Sequence, residues 1–359
     1  MRNRYLRTPQ QIHSSVISKS QINKLGSTIR KKLRANEDLE DDDIVKLQTY
    51  RTSFKEDLSA VFHEISNLSR NERKDSIVSF RIKRIESILS KIRREPTMSL
   101  GNMGDIAGCR IILYSDNALN NLVEAINHKY KVKNFNDYTK VAKQDGYRGY
   151  HLYVESPIDS NKLLEIQLRT IATHKWASLV EIIDVILNLK LKEGQKHDEL
   201  QRYLQLLSLD RKELTLIQKK EIIDIDAKYN IYKILNEVFL KNNISIRKSW
   251  LALSQTIDNF YFIIEVDANK KSNIISIKDY IEAEAKYFKM FLTNKTSNFV
   301  LTFIENPNYK KICIAYSSYI LIKHDYLEDW SAFAKDIINE EKSNSSKSQM
   351  IYSDLIKRN

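Results

Sequence analysis

Lys143, Tyr147, Arg148 and His151 crowd around two glycines in the stretch KQDGYRGYH, after which the chain passes into the alternating run YHLYVES. An aromatic ring offers a face to a base, and cationic and imidazole groups suit phosphates or an attacking hydroxyl. A tight turn with surface charges has the same composition, so the stretch gains meaning from its surroundings. In RIKRIESILSK, the four-residue spacing of Lys83, Ser87 and Lys91 predicts one helical face with two ammonium groups and a hydroxyl, a grip for polyphosphate. In GDIAGCRIILY, Asp105 and Arg110 flank the start of an apolar strand. In EIQLRT, alternation puts Glu165, Gln167 and Arg169 on one side of a strand, opposite Ile166 and Leu168. Two carboxylates on neighbouring strands, Asp105 and Glu165, are what Mg²⁺ takes together with substrate phosphates. Each group alone also fits a solvated helix face, a turn cap or an exposed strand. Their conjunction, in order along the chain, points to a nucleotide site.

These groups need a scaffold. Apolar residues at three- and four-residue spacing, with no glycine between Gly26 and Gly101, predict helices over residues 10 to 95, and Pro96 marks a stop. From Cys109 the period changes. CRIILY reads as a buried strand, NALNNLVEAINHKY as a helix and YKVKNF as a second strand. YHLYVES and KLLEIQLRT form a hairpin, and IATHKWASLVEIIDVILNLK a closing helix. Residues 196 to 245 are again helical. Beyond them FYFIIEV, NFVLTFIE and KKICIAYSS read as strands, interleaved with helical DYIEAEAKYFKMFL and LEDWSAFAKDIINEE, and KSNSSKSQ as a flexible linker. The fold class is α+β, a mixed β-sheet flanked by helices. The expected divisions are an N-terminal helical extension (1–54), the chemical unit (55–192), a helical connector (193–245), a small C-terminal α/β unit (246–340) and a tail (341–359). Of seven glycines, five fall between Gly101 and Gly149, which concentrates special backbone geometry in the middle unit.

Composition bounds the partners. The 359 residues are 42% hydrophobic, enough for packed cores, and their net charge of +12 attracts polyanions such as nucleotides or RNA. No apolar run approaches a membrane span, and MRNRYLRTPQ has no apolar leader core, so a cytoplasmic protein without membrane contact is expected. Cys109 and Cys313, far apart in apolar runs, read as buried reduced thiols.

Together the motifs resemble the synthetase domain of the RelA/SpoT family, especially its small alarmone synthetases. The matching stretches are R-x-K-x3-S-x3-K (Arg81, Lys83, Ser87, Lys91), DIAGCR, KQDGYRGYH and EIQLRTIATHKWASLVE, within roughly residues 55 to 190. The resemblance implies a nucleotidyltransferase-like fold. It also implies transfer of the β,γ-pyrophosphate of ATP to the 3′-hydroxyl of GDP or GTP, giving (p)ppGpp and AMP. Arg81 and Arg110 would sandwich the adenine, Lys83, Ser87 and Lys91 would hold phosphates, and Asp105 and Glu165 would carry Mg²⁺. Tyr147 would stack on the acceptor base, Lys143, Arg148 and His151 would lie near its phosphates, and Gln167 would join the acceptor site. His174 and Trp176 match a helix motif of structural character. The spaced His and His-Asp motifs of the family's hydrolase are missing: the N-terminal segment has only His13 and His63, and KHDE lies after the synthetase region. No hydrolase activity is expected. The appended C-terminal unit is similar to the fused toxin–antitoxin branch, which implies intramolecular restraint and the 3′-end of tRNA as an alternative acceptor. An idle RNA-binding protein on the same fold is the competing class, and retention of both carboxylates argues against it. An unrelated nucleotidyltransferase would make the motif spacing accidental.

Overall fold

A computed structural model describes residues 18–73, 75–143, 146–189, 197–254, 261–294, 296–322 and 324–356. Residues 1–17 of the N-terminal extension, with His13, lie outside the described residues, as do Gly194, Lys196 of KHDE and residues 357–359 of the tail.

Helices α1 (Lys19–Ala35), α2 (Asp41–Thr52) and α3 (Lys55–Glu72) come first. Ser18 and Gln21 start α1 with a reciprocal capping box. There follow β1 (Ile77–Ile82), α4 (Ile85–Arg94), β2 (Ala107–Leu113), α5 (Asp116–Lys129), β3 (Val132–Asp137), β4 (Tyr150–Glu155), β5 (Leu163–Thr170) and α6 (Ile171–Leu187). Helices α7 (Asp198–Leu207), α8 (Leu216–Tyr229) and α9 (Ile231–Ser254) lead to β6 (Tyr261–Val266), β7 (Ser272–Ile277), α10 (Tyr280–Thr293) and β8 (Asn298–Ile304). Helices α11 (Tyr309–Ala315), α12 (Ser317–Ile320) and α13 (Tyr326–Ile356) close the chain.

All eight strands form one mixed sheet in the order β3-β4-β5-β2-β1-β8-β6-β7. Among the described residues, only the β2–β5 pair is parallel. The two-residue period decides what each face carries. Val78, Phe80 and Ile82 of β1, Cys109, Ile111 and Leu113 of β2, and Leu164, Ile166 and Leu168 of β5 join a core that includes Leu58, Val61 and Ile65 of α3 and Leu122 and Ile126 of α5. The alternate residues, Arg81, Arg110, Glu165, Gln167 and Arg169 among them, therefore point to the opposite face. There a second core, with Leu179, Ile182 and Ile183 of α6 and Ile312 and Ala315 of α11, covers part of the sheet and leaves the polar part beside it.

Several expectations change. SIVSFRI is strand β1, so Arg81 is on a strand and Lys83 in the turn before α4; only Ser87 and Lys91 are helical. The helical region from 196 breaks between α7 and α8, and the unexpected β7 pairs with β6. KKICIAYSS is not a strand. The Asn308 side chain accepts from Lys311 N and starts α11, whose Ile312 and Ala315 face the second core. KSNSSKSQ lies within α13. Both thiols are free, but Cys313 is half-buried. Among the described residues, no helix is long and apolar enough to cross a membrane.

The boundary drawn at 246 falls inside α9, and the strands beyond it extend the same sheet: β8 pairs with β1 through Ser79↔Ile304, Phe80↔Phe303 and Arg81↔Thr302. A buried ion pair reinforces that seam. Arg51 of α2, fully enclosed, meets Glu284 of α10 at 2.6 Å and donates to the carbonyl of Lys83 at 2.6 Å. Its guanidinium also lies over the Tyr287 ring, 4.4 Å from the centroid. Removing one partner strands the other charge away from water. Glu284→Ala is thus expected to lower unfolding stability by ~3–5 kcal/mol, read from urea denaturation of the full chain. A change within the scatter of surface substitutions would show that this pair does not hold the seam.

Candidate active site

On the polar face, strand register sets the site out in two rows. One row runs Asn136, His151, Gln167, Arg110, Ser79 across β3, β4, β5, β2 and β1; the next runs Tyr153, Glu165, Gly108, Arg81. They floor a cavity of about 270 Å³, whose wall adds Lys83, Lys91, Asp105, Tyr138 and Lys143, with Tyr316 arriving from the C-terminal region. Five cationic side chains (Arg81, Lys83, Lys91, Arg110, Lys143) face two carboxylates (Asp105, Glu165), an excess of positive charge suited to a polyphosphate.

Asp105 draws two of the lysines together. Its Oδ2 accepts from Lys83 Nζ at 2.9 Å and from Lys91 Nζ at 3.0 Å. Burial pushes its pKa up, but the two ammonium groups more than offset this and hold it below the usual carboxylate range. Burial lowers the Lys83 pKa, and Asp105 only partly restores it. The second carboxylate oxygen, Oδ1, is buried without a hydrogen-bond partner. An unsatisfied buried carboxylate oxygen is costly, and a hydrogen-bond donor or a hard cation would answer it.

Glu165 is fixed from three sides. His151 Nδ1 lies 2.8 Å from Oε1, Tyr153 OH donates to Oε1 at 3.2 Å, and Gln167 Nε2 donates to Oε2 at 2.9 Å. Burial pushes its pKa up, and the hydrogen bond from His151 outweighs that, so the carboxyl sits below its ordinary range. Arg110 reaches neutral acceptors, Gln167 Oε1 and the carbonyl of Ala315, each at 3.4 Å. Burial, then the like charges of Arg169 and Arg81, pull its pKa down to about 10. Such a crowded cation is poised for an incoming anion or ring.

Of the residues singled out in the sequence, Arg81, Lys83, Lys91, Asp105, Arg110, Lys143, His151, Glu165 and Gln167 line this cavity, while Ser87, Tyr147 and Arg148 do not. Arg148 Nη1 donates to the Thr139 carbonyl at 2.9 Å. Tyr147 is turned inward, its hydroxyl bonded to His151 and Arg169. The sequence reading passed over Ser79, Asn136, Tyr138, Tyr153, Gly108 and Tyr316. Alternation from His151 would have placed Tyr153; nothing local marks Tyr316.

A family description, "Region found in RelA / SpoT proteins", matches residues 80–183. The chain is 33% identical over 145 residues to the GTP pyrophosphokinase YjbM of Bacillus subtilis, covering 37% of this chain and 68% of that protein. It is 34% identical over 155 residues to YwaC of the same organism, also a GTP pyrophosphokinase, covering 40% and 72%. A crystal structure of small alarmone synthetase 1 from Bacillus subtilis, bound to its product pppGpp, superposes with a TM-score of 0.39 at 25% identity, over 45% of this chain and 89% of that one. The relatives place this chain with pyrophosphotransferase-type domains. The chain belongs to the RelA/SpoT family, with that family's synthetase domain.

Gly108 provides a direct test of the geometry. A Cβ there would come within 2.3 Å of the Glu165 carbonyl oxygen, a backbone atom that cannot turn aside. Gly108→Ala is expected to spread β2 from β5, displace Glu165 and cut activity by about 100-fold, while substrate-independent melting falls only modestly. Wild-type activity in that variant would mean that the strand spacing does not set the site.

Proposed function

We propose that this protein transfers the β,γ-pyrophosphate of ATP to the 3′-hydroxyl of GDP or GTP, releasing AMP. The observation that carries the reading is Asp105: one oxygen gathers two phosphate-binding lysines and the other is buried and unpartnered, on the cavity that Glu165 also lines. Lys83 and Lys91 grip the phosphate chain, and Arg81 and Arg110, both on the cavity floor, take the adenine side. The acceptor enters by Lys143, His151 and Gln167. Its 3′-oxygen attacks the β-phosphorus, the bond to the bridging oxygen of AMP breaks, and the ionised Glu165 takes the hydroxyl proton. Hard oxygen donors and the unsatisfied Oδ1 fit Mg²⁺, which Asp105 and Glu165 would hold and which, when bound, offsets charge on the phosphates. The unpaired thiols suit a reducing cytosol.

A second feature of this reading is restraint by the C-terminal region. Tyr316 lines the cavity, and the preceding residue, Ala315, occupies Arg110 with its carbonyl. A nucleotide base seeking Arg110 meets both. Because β8 and Glu284 belong to the seam with β1 and α2, relief should come from local change at α11–α12 rather than from removal of the region.

The reaction is tested by incubating purified protein and a Tyr316→Ala variant with γ-³²P-ATP, Mg²⁺, and GDP, GTP or bulk tRNA. Label on the guanine nucleotide, stronger with Tyr316→Ala, is the expected result. Label on tRNA alone would replace the acceptor by an RNA 3′-end, and label on neither from both proteins would remove the activity. In whichever protein is active, Asp105→Asn should reduce transfer by about 100-fold or more while keeping a cooperative unfolding transition.

A further inference from the structure

Behind the carboxylates, outside the cavity itself, buried polar groups join the C-terminal region to the acceptor side of the site. His174, in the first turn of α6, is only 2% exposed. Its Nε2 lies 2.8 Å from the carbonyl of Ile314 on α11, so that nitrogen carries the hydrogen. Burial first, then the charges of Arg169 and Arg110, push its pKa down to about 3, and the ring is neutral. A neutral ring with its hydrogen on Nε2 presents a lone pair at Nδ1, and Arg169 Nη1 faces it at 3.4 Å. Arg169 also donates, from Nη2 and Nε, to the Tyr147 hydroxyl at 3.1 and 3.3 Å. Having accepted there, the hydroxyl turns its own hydrogen toward His151 Nε2, 2.5 Å away. That leaves the His151 hydrogen on Nδ1, aimed at Glu165 Oε1 at 2.8 Å.

Every link then sets donors against an acceptor, Arg169 using two of its nitrogens on the Tyr147 hydroxyl. Arg169 stands at the centre and donates along both arms, one ending on the Ile314 carbonyl and the other on the Glu165 carboxylate. Ring contacts hold the same posture. Tyr147 sits edge-on to Tyr138, His151 and Trp176, with the Arg169 guanidinium 5.1 Å from its centroid.

We propose that Arg169 and His174 are positioning residues through which the docking of α11 sets the inward posture of Tyr147 and the orientation of Glu165. None of the residues in the arm from Ile314 to Arg169 needs to touch substrate; they act through Tyr147 and His151. Lifting the Ile314 carbonyl off His174 leaves Nε2 facing the Ser178 hydroxyl at 3.4 Å, which can donate as well as accept. The ring then loses its fixed tautomer, and Arg169 loses the acceptor that holds its Nη1. The C-terminal region thereby reaches the acceptor side of the site as well as the cavity wall at Tyr316. The coupling rests on the proposed reaction for its consequence in turnover, but its proton positions exist without any substrate.

The first readout is therefore independent of activity. Long-range ¹H–¹⁵N spectra of ¹⁵N-histidine-labelled full-length protein, with His151 and His174 assigned by substitution, report which nitrogen of each ring carries hydrogen. The expected pattern is Nε2–H for His174 and Nδ1–H for His151. Tyr147→Phe and His174→Ala should each shift His151 away from the pure Nδ1–H form, whereas His174→Gln, which keeps a donor for Ile314 and an acceptor for Arg169, should preserve it. His151 in the Nε2–H form in the parent protein, or unmoved by both disrupting variants, would overturn the proposal whatever the enzyme does. The second readout uses the pyrophosphate-transfer assay. His174→Ala should lower kcat about 10- to 100-fold with the KM for ATP little changed, and His174→Gln should recover most of the loss. Equal loss in the two variants, at matched melting temperatures, would mean that His174 fills space and positions nothing. Absence of transfer in all proteins, with the tautomers as expected, would remove the proposed reaction and leave the coupling standing.

Discussion

One carboxylate oxygen shared by two lysines is the interaction around which the rest of this molecule is arranged. Lys83 and Lys91 come from a turn and from α4, and Asp105 from the loop before β2, so the triad pins three separate segments at one point. Like charges at that distance from one another need a counter-charge, and burial makes the need sharper. Arg51 secures the same point from behind by holding the Lys83 carbonyl. The cationic cluster can then persist in a half-enclosed cavity, where it is screened less than on the open surface.

The sheet distributes labour by parity. Odd positions of β5 carry Glu165, Gln167 and Arg169, and even ones carry the apolar residues that rest on the first core. The same division on β1, β2 and β4 lines up side chains from four strands without any long loop, and rigid strands hold such groups more firmly than loops do. Gly108 is the one position in its row without a side chain, and its absence lets β2 approach β5 closely beside Glu165.

How much of this was legible depended on local contrast. β3, β4, β5 and α6 were readable because strand and helix periods alternate there between clear breaks. β1 was not, since SIVSFRI runs into RIESILSK without glycine or proline, and so Lys83 was assigned to a helix that begins two residues later. KKICIAYSS has the β-branched, apolar look of a strand, yet a side-chain cap at Asn308 and burial of one helical face prevail. The site residues within the motifs were found because chemistry demands their types. Tyr147 was legible as important, but its posture was not: that depends on Arg169, His174 and a carbonyl far along the chain. Tyr316 had no signal of its own, because only the tertiary fold brings it to the cavity.

The pairing of β1 with β8 places β1, which carries Arg81, in the middle of the sheet. Peeling the C-terminal region away would turn β1 into a raw edge, with the backbone groups of Ser79 to Arg81 open to any passing strand. With β8 in place those backbone groups are already paired, so the seam closes an edge as well as joining the two ends of the chain.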